Sequence, residues 1–251
     1  MTSRCIKAAW PAPANVVAFT TTRGGGYSAP PFDSFNLAEH VGDAHRAVAA
    51  NRASLARELP TANPVQWLSQ EHGTAVVQAG RGQMCPVADA CWSHEPGRPC
   101  AVLTADCLPV LLCSRTGEVV AAAHAGWRGL LAGVLENTVA AMAVAPGQLL
   151  AWLGPAIGPG AFEVGAEVRS AYLAGAVDAA GTDACFVPNR VRPGHFFADL
   201  YRLARLRLRA AGVDGVFGGD FCTFSDSGRF YSYRRDGETG RMASIILFDS
   251  R

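Results

Sequence analysis

Two apolar runs joined by a short polar segment constrain the fold of this chain more than any other feature of its sequence. The runs CLPVLLC (107–113) and EVVAAAH (118–124) are separated only by Ser-Arg-Thr-Gly at 114–117. A four-residue loop that contains glycine is a common connection in β-hairpins, because glycine adopts left-handed backbone angles without strain. The pattern predicts a buried antiparallel hairpin, and the segment AHAGWRG (123–129) at its end leads into a predicted helix.

The predicted hairpin places a cysteine opposite a histidine. If Cys113 faces Glu118 across the turn, the same register pairs Cys107 with His124. Residues directly opposed on antiparallel strands have Cβ atoms about 4.5–5.5 Å apart, close enough for both side chains to bind one metal ion. Pro109 argues for an edge strand or a bulge in the first run, because proline lacks the N–H that a central strand needs.

The cysteine and the histidine of this pair permit three interpretations. They are two ligands of a zinc site, a nucleophile and its base, or a buried thiol beside a hydrogen-bonded ring. Asp106 adjoins the cysteine and a glycine-rich turn follows the histidine, and polar residues gathered at one end of an apolar hairpin favour a functional site. A third metal-binding side chain nearby would favour the zinc-site interpretation over the other two. His72, in QEHG before another strand-like run, is modestly favoured over the other histidines, His40, His45, His94 and His195.

Helical and strand-like segments are mixed along the chain without strict alternation. Helical patterns lie at 44–58, 129–143, 163–174 and 197–211. Strand-like runs lie at 15–21, 75–79, 101–104, 108–113, 118–124, 149–153, 216–218 and 243–248. Because strict alternation is typical of doubly wound sheets, this mixture instead predicts an α+β fold with mixed β-sheets. We expect one domain, residues 1–251, since no linker, repeat or low-complexity run divides the chain.

Composition and charge narrow the class of partner. The chain has 251 residues, of which 49% are hydrophobic and 17% charged, and its formal net charge is +1. A balance so near neutral gives no electrostatic reason to expect nucleic acid or an anionic membrane as the main partner. No run approaches the length of a membrane span and the first residues contain no apolar signal segment, so we expect a cytoplasmic protein. Its eight cysteines include no Cys-x-x-Cys pair and are expected to be reduced thiols.

Seven motifs follow one another along nearly the whole chain. They are TTRGGGYS (21–28), FNLAEHVGD (35–43), SQEHGTAVV (69–77), LTADCLPVLL (103–112), AAHAGWRG (122–129), WLGPAIGP (152–159) and FSDSGRFYSYRRDGETGRMAS (224–244). In this order they resemble the YfiH family, also called laccase-domain or polyphenol-oxidase-like proteins, and HAGWRG together with TADC is the most specific part of the match. The resemblance implies an α+β fold with mixed sheets in a layered sandwich and flanking helices. It also implies a zinc-dependent purine nucleoside enzyme.

The same resemblance assigns metal ligands. The zinc of that family is held by the histidine of QxHG, the cysteine of TADC and the histidine of HAGWRG, which here are His72, Cys107 and His124. We therefore expect one zinc ion per chain, with copper a less favoured occupant. A Cys-His-His set leaves one of the four zinc positions open, as in catalytic sites, and zinc in that state lowers the pKa of water to about 7. Such chemistry suits the hydrolytic deamination of adenosine to inosine.

Deamination also needs a proton carrier. Glu71 and Asp106 each adjoin a predicted ligand, but neighbouring side chains on a strand point to opposite faces. Asp106 ranks ahead of Glu71 because the chain is expected to turn there. The predicted catalytic set is therefore Cys107, His124 and Asp106.

The family is also credited with phosphorolysis of purine nucleosides, including adenosine, inosine and methylthioadenosine, and this reaction requires a phosphate site. Arg23 and the glycines that follow it offer a cation and backbone amides, and Arg128 at a predicted helix start adds charge. A glycine triplet is otherwise a flexible turn, and an arginine at a helix start is otherwise solvated. Asn36 and Arg46 complete the predicted substrate-binding set. The expected partners are purine nucleosides and phosphate, with neither nucleic acid nor a membrane.

Three alternatives lie outside nucleoside chemistry. Oxidases with four copper ions hold a trinuclear centre through several His-x-His pairs, whereas this chain has six histidines and no such pair. Four-copper chemistry is therefore excluded, and a polyphenol oxidase would need a different site. A cysteine amidase acting on cell-wall precursors would use Cys107 as its nucleophile and His124 as its base. A metal-binding module without catalysis is the third alternative.

Overall fold

The computed structural model describes residues 4–249, so residues 1–3 and 250–251 of the predicted domain lie outside the described residues. The strands are Cys5–Lys7 (β1), Val16–Thr21 (β2), Val76–Gln78 (β3), Ala90–Ser93 (β4), Cys100–Thr104 (β5), Leu108–Ser114 (β6), Val120–Ala125 (β7), Leu149–Leu153 (β8), Glu163–Gly165 (β9), Phe186–Pro188 (β10), His195–Ala198 (β11), Gly215–Gly218 (β12) and Met242–Phe248 (β13). The α-helices are His45–Glu58 (α1), Trp127–Ala132 (α2), Val134–Ala141 (α3), Ala166–Ala174 (α4), Ala179–Asp183 (α5), Leu200–Ala210 (α6) and Tyr233–Asp236 (α7).

The strands form three sheets. A six-stranded sheet has the order β12-β8-β6-β7-β4-β3, in which β12 is parallel to β8, β3 is parallel to β4, and the remaining pairs are antiparallel. An antiparallel four-stranded sheet has the order β1-β2-β13-β5, and a small antiparallel sheet has the order β10-β11-β9. The predicted α+β class with mixed sheets is confirmed.

The two larger sheets pack in layers, with helices on their outer faces. Side chains of β6 alternate between two apolar clusters, because successive residues of a strand point to opposite faces. Val110 and Leu112 pack toward α3 and α6, whereas Leu111 packs against Ile246 of the four-stranded sheet. The far face of that sheet is covered by α1 through Leu55. Both faces of the central hairpin are therefore buried, which accounts for the apolar runs that predicted it.

β6 and β7 form the predicted hairpin, but the predicted register is wrong by two residues. Pro109, and not Cys107, lies opposite His124. The proline is the second residue of a central strand, at the end of the ladder, and β6 is neither an edge strand nor bulged there. A shift of two residues preserves the face to which each side chain points. Cys107 therefore remains on the same side of the sheet as His124.

The register differs because the turn is displaced by one residue along the chain. Ser114 N donates to Val119 O across 2.8 Å, so the four-residue loop comprises 115–118. Ser114 remains in the ladder because it also pairs with Leu149 of β8, a constraint from a distant strand that hairpin counting does not include. Gly117 has φ +72°, the left-handed conformation expected of it.

One predicted helix is corrected by local backbone geometry, and the starts of two others are moved by strand pairing. The predicted helix 129–143 is two helices, α2 and α3, because Gly133 between them has φ +104° and its N–H closes α2 on Gly129 O at 3.0 Å. The helices predicted at 163–174 and 197–211 start later than expected, since their first residues belong to strands β9 and β11.

Two further expectations concern the compartment. Within residues 4–249 no helix combines the length and the apolar character needed to cross a bilayer. All eight cysteines are free thiols in the structure, four of them buried. The buried thiols act as small hydrophobic residues in the core clusters.

Candidate active site

Three metal-binding side chains meet at one edge of the six-stranded sheet. The starts of β3, β4 and β6 and the end of β7 share this edge, because β7 is antiparallel to β4 and β6 while β3 is parallel to β4. His124 lies near the end of β7, Cys107 lies in the bend directly before β6, and His72 lies in the loop that leads to β3. One ligand atom from each of the three lies within 4.8 Å of the others.

The arrangement of this His-Cys-His group suits a single ion that is approached from one side. Cys107 Sγ is 3.6 Å from His72 Nε2, and the two imidazole rings meet edge to face with centroids 4.8 Å apart. His124 is buried whereas His72 is exposed, so the group lies at the boundary between core and solvent. One thiolate and two imidazoles form a donor set typical of zinc sites that keep a position open for water or substrate.

Asp89 holds two of the three candidate ligands in place. Asp89 lies directly before β4 and is only 2% exposed to solvent. Its Oδ1 accepts a hydrogen bond from His124 Nδ1 at 2.7 Å. A histidine that donates from Nδ1 presents Nε2 to a metal, and carboxylate partners of this kind orient metal-binding histidines. Burial raises the pKa of the Asp89 carboxyl, but the hydrogen bond and the charge of His124, with backbone amides, lower its pKa below the ordinary value.

The same carboxylate fixes the loop that carries His72. The backbone N–H groups of Glu71, His72 and Gly73 donate to Asp89 oxygens at 3.2, 2.9 and 2.7 Å. His72 has φ +62°, a conformation uncommon for a residue with a side chain, and it allows three successive amides to converge on one acceptor. Asp89 thus links the positions of two side chains that are 52 residues apart in the chain.

The surroundings of Cys107 and of His124 shift the pKa of each. Burial raises the pKa of the Cys107 thiol, but the charge and hydrogen bond of His124, and then those of His72, outweigh it and lower the pKa to about 6. Burial lowers the pKa of His124, whereas Cys107 and Asp89 raise it to about 9. Without a metal the pair is therefore a thiolate beside an imidazolium, and the thiolate is the form of cysteine that binds metal.

A glycine provides the space in which the group sits. A Cβ built on Gly126 lies 2.8 Å from His72 Cδ2 and 3.0 Å from Cys107 Sγ, closer than ordinary contacts allow. The donor chemistry and this space fit a bound metal ion. The glycine of HAGWRG that follows the histidine is therefore required by packing against the ligands, since its φ of −61° is open to any residue.

Replacing Gly126 with alanine is expected to weaken metal binding while the fold is retained. The backbone angles suit alanine, so the added methyl acts only by displacing His72 and Cys107. Metal sites accept ligand displacements of only about 0.2 Å. We expect the affinity for zinc to fall about tenfold or more, as it does when supporting groups of a site are lost, measured by competition with a chromogenic chelator.

Gly160→Ala is the matched control, because a Cβ at that glycine meets nothing within 4 Å. Thermal unfolding of the metal-free proteins reports whether the fold is intact in both variants. Zinc binding by Gly126→Ala that equals the binding of the unchanged chain would contradict the assignment of His72 and Cys107 as ligands.

A cleft of about 390 Å³ opens beside the His-Cys-His group. Sites for small molecules have volumes of about 300–1,000 Å³, so the cleft is large enough for one. A side groove of about 370 Å³ adjoins it and is lined by His40, Val41, Tyr233, Gly237, Glu238, Thr239 and Arg241. The cleft itself is lined by His40, Gln70, His72, Leu103, Thr104, Ala105, Cys107, His124, Tyr233 and Arg241.

Arg241 is the arginine that lines both the cleft and the side groove. Its backbone N–H donates to Asn36 Oδ1 at 3.0 Å, and its Nη1 donates to the carbonyl oxygens of Thr239 and Gly240. Burial lowers its pKa, while the neighbouring Cys107 and Asp106 oppose that shift. The guanidinium therefore lies within the electrostatic reach of the candidate metal ligands.

Asp106, the predicted proton carrier, lies beside the group but does not line the cleft. Its φ of +96° confirms a turn at this residue. The carboxylate is buried and accepts hydrogen bonds from Thr223 Oγ1 at 2.6 Å and from the N–H of Arg234 at 2.7 Å. The structure thus gives this carboxylate two protein donors, and its part in proton transfer stays a prediction.

The four residues predicted to bind substrate do not line the cleft either. Arg23 bonds to Asp33 and to Ser227 O, and its guanidinium lies 5.0 Å from the ring centroid of Tyr231. Asn36 is fully buried and bonded to protein groups on both ends of its amide. Arg128 is exposed over the Trp127 ring, and Arg46 is exposed on α1. Their contact with substrate stays a prediction.

Sequence reasoning missed two residues of this site, Asp89 and Arg241. Asp89 lies in VADACWS, directly before β4, a strand that was not predicted from the sequence. It is the only charged residue in that apolar segment, and an isolated carboxylate beside an apolar run could have indicated a functional role. Arg241 lies in a motif already noted for its resemblance, among several other arginines. Nothing local distinguishes it, because the cleft that it lines is assembled from distant segments.

Comparison with known proteins agrees with the fold and shows the family of the chain. A family model described as "Multi-copper polyphenol oxidoreductase laccase" matches residues 17–249. The chain is 57% identical over 237 residues to "Purine nucleoside phosphorylase PA4543" of Pseudomonas aeruginosa, with 94% of this chain and 95% of the relative covered. It is 53% identical over 247 residues to "Purine nucleoside phosphorylase YfiH" of Escherichia coli, with 97% and 98% covered.

Solved structures agree along the whole chain. The crystal structure of Neisseria meningitidis protein NMB0706 is similar with a TM-score of 0.93 and 50% identity, covering 99% of this chain and 100% of the other. The crystal structure of YlmD from Geobacillus stearothermophilus is similar with a TM-score of 0.88 and 31% identity, covering 100% and 98%. The predicted layered arrangement and the resemblance on which it was based are confirmed.

Proposed function

The chain belongs to the YfiH family of laccase-domain proteins, and from this premise we propose that it is a zinc-dependent purine nucleoside enzyme. Its reactions are the deamination of adenosine to inosine and the phosphorolysis of purine nucleosides, including adenosine, inosine and methylthioadenosine. The observation that carries the proposal is the convergence of His72, Cys107 and His124 within 4.8 Å at the wall of a cleft of about 390 Å³. Relatives along nearly the full length are named purine nucleoside phosphorylase, which supports the substrate class.

In this proposal His72, Cys107 and His124 hold one zinc ion. Zinc bound by three protein ligands lowers the pKa of water to about 7 and so supplies a nucleophile at neutral pH. In the deamination, the oxygen of water forms a bond to C6 of adenosine and the bond from C6 to the amino nitrogen breaks. One proton of the water passes to the amino group, which leaves as ammonia, and the other passes to N1 of the purine. The products are inosine and ammonia, with no oxidant or reductant consumed.

The residues of the chain have three tasks in this scheme. Asp89 keeps His124 in the tautomer that presents Nε2 and fixes the loop of His72. The cleft binds the nucleoside and limits the access of bulk water. Asp106 is the proposed proton carrier, because the residue adjoins Cys107 in the sequence and the chain turns there.

Phosphorolysis uses the same cleft with a different nucleophile. An oxygen of hydrogen phosphate forms a bond to C1′ of the nucleoside, and the bond from C1′ to the purine nitrogen breaks. The electron pair and the phosphate proton pass to the base, so the products are ribose 1-phosphate and the free purine. This reaction needs a cation near the cleft to hold phosphate.

The substrate panel that tests the proposal consists of adenosine, inosine and methylthioadenosine, each incubated with the zinc-loaded protein with and without phosphate. We expect inosine from adenosine in both conditions, and we expect free base only when phosphate is present. Separation of the products by chromatography distinguishes the two reactions. If the zinc-loaded protein turns over none of the three nucleosides, the proposal is overturned.

A cysteine amidase is the second candidate, because one observation favours it. Without metal, Asp89, His124 and Cys107 are placed as orienting acid, base and nucleophile, and the pKa of the thiol is lowered. A thiolate that binds metal is a poor free nucleophile, so metal content separates the candidates. Rapid alkylation of Cys107 by iodoacetamide in protein as isolated, with no bound metal, would favour the amidase.

We also propose that the enzyme acts in the cytoplasm. The eight cysteines are free thiols, although several are exposed or half-buried. Free thiols in this number persist where glutathione and thioredoxin keep cysteines reduced.

A further inference from the structure

Arg241 carries a positive charge beside the cleft, and residues 4–249 leave part of its hydrogen-bonding capacity unused. Its Nη1 donates to two backbone carbonyls, and within residues 4–249 its Nε and Nη2 have no hydrogen-bond partner. No carboxylate in this part of the chain forms an ion pair with it, whereas the guanidinium of Arg23 is paired with Asp33. A half-buried guanidinium with free donors favours an anion as its partner, because charge-assisted hydrogen bonds are the stronger kind.

Arg241 lies beside the candidate reacting centre. It lines the cleft together with Cys107 and His124, and it lines the side groove together with Glu238. His40 and Tyr233 line both spaces, and the ring of Tyr233 lies 5.9 Å from the Arg241 guanidinium. An anion bound between the cleft and the side groove would therefore lie beside the candidate metal ligands.

Two threonine hydroxyls near Arg241 have unused hydrogen-bonding capacity. Thr104 lines the cleft and Thr239 lines the side groove, and both residues are almost fully buried. The Oγ1 atoms of both have no hydrogen-bond partner within the described residues. Buried hydroxyls normally have a partner, so two unpaired hydroxyls on residues that line the same spaces as Arg241 favour a polar ligand there.

We propose that Arg241 forms the phosphate-binding subsite of this enzyme, at the junction of the cleft and the side groove. The inference rests on the proposed phosphorolysis and names the residue that holds its inorganic co-substrate. Arg241 presents Nε and Nη2 to two phosphate oxygens, and the planar guanidinium suits such two-point binding. In the reaction a third phosphate oxygen forms the bond to C1′, the purine leaves with the electron pair, and the phosphate proton passes to the base.

The subsite is held in place by the residues around it. Asn36 Oδ1 accepts from the Arg241 N–H at 3.0 Å and from the Ala38 N–H at 3.0 Å, so a buried amide fixes the backbone of the arginine. Asn36 is among the residues predicted to bind substrate, and the structure gives it a supporting contact with Arg241. Arg23 and Arg128 interact with other groups of the protein outside the cleft.

Binding of inorganic phosphate to the zinc-loaded protein, measured by calorimetry without nucleoside, tests this subsite apart from catalysis. We expect Arg241→Gln to weaken phosphate binding about ten- to a hundredfold, as expected for a lost charged hydrogen bond. Arg241→Lys is expected to restore part of the loss, because it keeps the charge but not the two-point geometry. Arg57→Gln, which changes an exposed arginine on α1, is the matched control and should bind phosphate as the unchanged chain does.

Steady-state rates then separate this inference from the proposed function. We expect Arg241→Gln to raise the KM for phosphate in phosphorolysis about ten- to a hundredfold, while deamination of adenosine, which uses no phosphate, changes much less. Loss of phosphate binding in Arg241→Gln supports the subsite even if no nucleoside is cleaved. Unchanged phosphate binding in Arg241→Gln, or loss in Arg23→Gln instead, would overturn it while leaving the proposed function intact. Absence of phosphate binding by the unchanged protein would also overturn it.

Discussion

Cys107→Ala is expected to lose most of the bound metal and to abolish the deamination of adenosine. Cys107 supplies the only sulfur among the three converging ligand atoms, and removing it leaves two imidazoles. Without metal there is no means in this site to ionise water at neutral pH. The metal-free fold should change little in stability, because Cys107 lies half-exposed in a bend outside β6, whereas core truncations cost about 2–5 kcal/mol.

Metal content per chain and the rate of inosine formation are measured on the same preparation. Cys85→Ala is the matched control, since Cys85 is an exposed thiol that does not line the cleft. Stabilities are compared after chelation, because a metal bound only by the folded state raises the unfolding temperature by mass action. Full zinc occupancy in Cys107→Ala would contradict the ligand assignment.

Asp89→Asn is expected to have the second large effect, on metal affinity and on stability together. The Asp89 carboxylate accepts four hydrogen bonds, one from His124 and three from the backbone of the loop that carries His72. An amide offers one acceptor oxygen and turns N–H groups toward some of these donors. Loss of a carboxylate that orients a metal-binding histidine lowers metal affinity about 10–100-fold. Each buried donor left unpaired lowers the free energy of unfolding by about 1–3 kcal/mol.

Asp106→Asn is the comparison, because Asp106 is also a buried carboxylate with two protein donors beside the same site. If Asp106 is the proton carrier, this variant keeps its zinc and loses turnover, whereas Asp89→Asn loses zinc first. Chelator competition and denaturant unfolding give the two quantities for each variant. An Asp89→Asn protein with the zinc affinity and stability of the unchanged chain would show that Asp89 does not support the ligands.

The fold was predictable wherever local pattern and burial agree. The central hairpin, α1 and most strands of the two larger sheets are apolar runs or periodic patterns with clear boundaries, and they were predicted within a few residues. The hairpin register was wrong by two because Ser114 pairs with Leu149, a contact outside the hairpin. The long helix 129–143 was wrong because one residue, Gly133, adopts a left-handed conformation that glycine permits but does not require.

The metal-binding group was predictable from the sequence, whereas the cleft beside it was not. Cys107 and His124 stay neighbours on one face of the hairpin because the register differs from the predicted one by only two residues, and the family resemblance supplied His72. The roles of Asp89 and Arg241 depend on the packing of segments that are distant in the sequence, such as those of Arg241 and Cys107, which line one cleft. Residue type and spacing hold no information on such contacts. Arg23 was therefore predicted from the sequence to bind phosphate, and Arg241 was not.

Titration of metal-free protein with zinc, followed by the rate at which adenosine is converted to inosine, tests the central claim most directly. We expect no activity without metal, a linear rise to one zinc per chain, and no rise in Cys107→Ala. Full deamination by the metal-free protein, or zinc-dependent deamination that persists in Cys107→Ala, would contradict it.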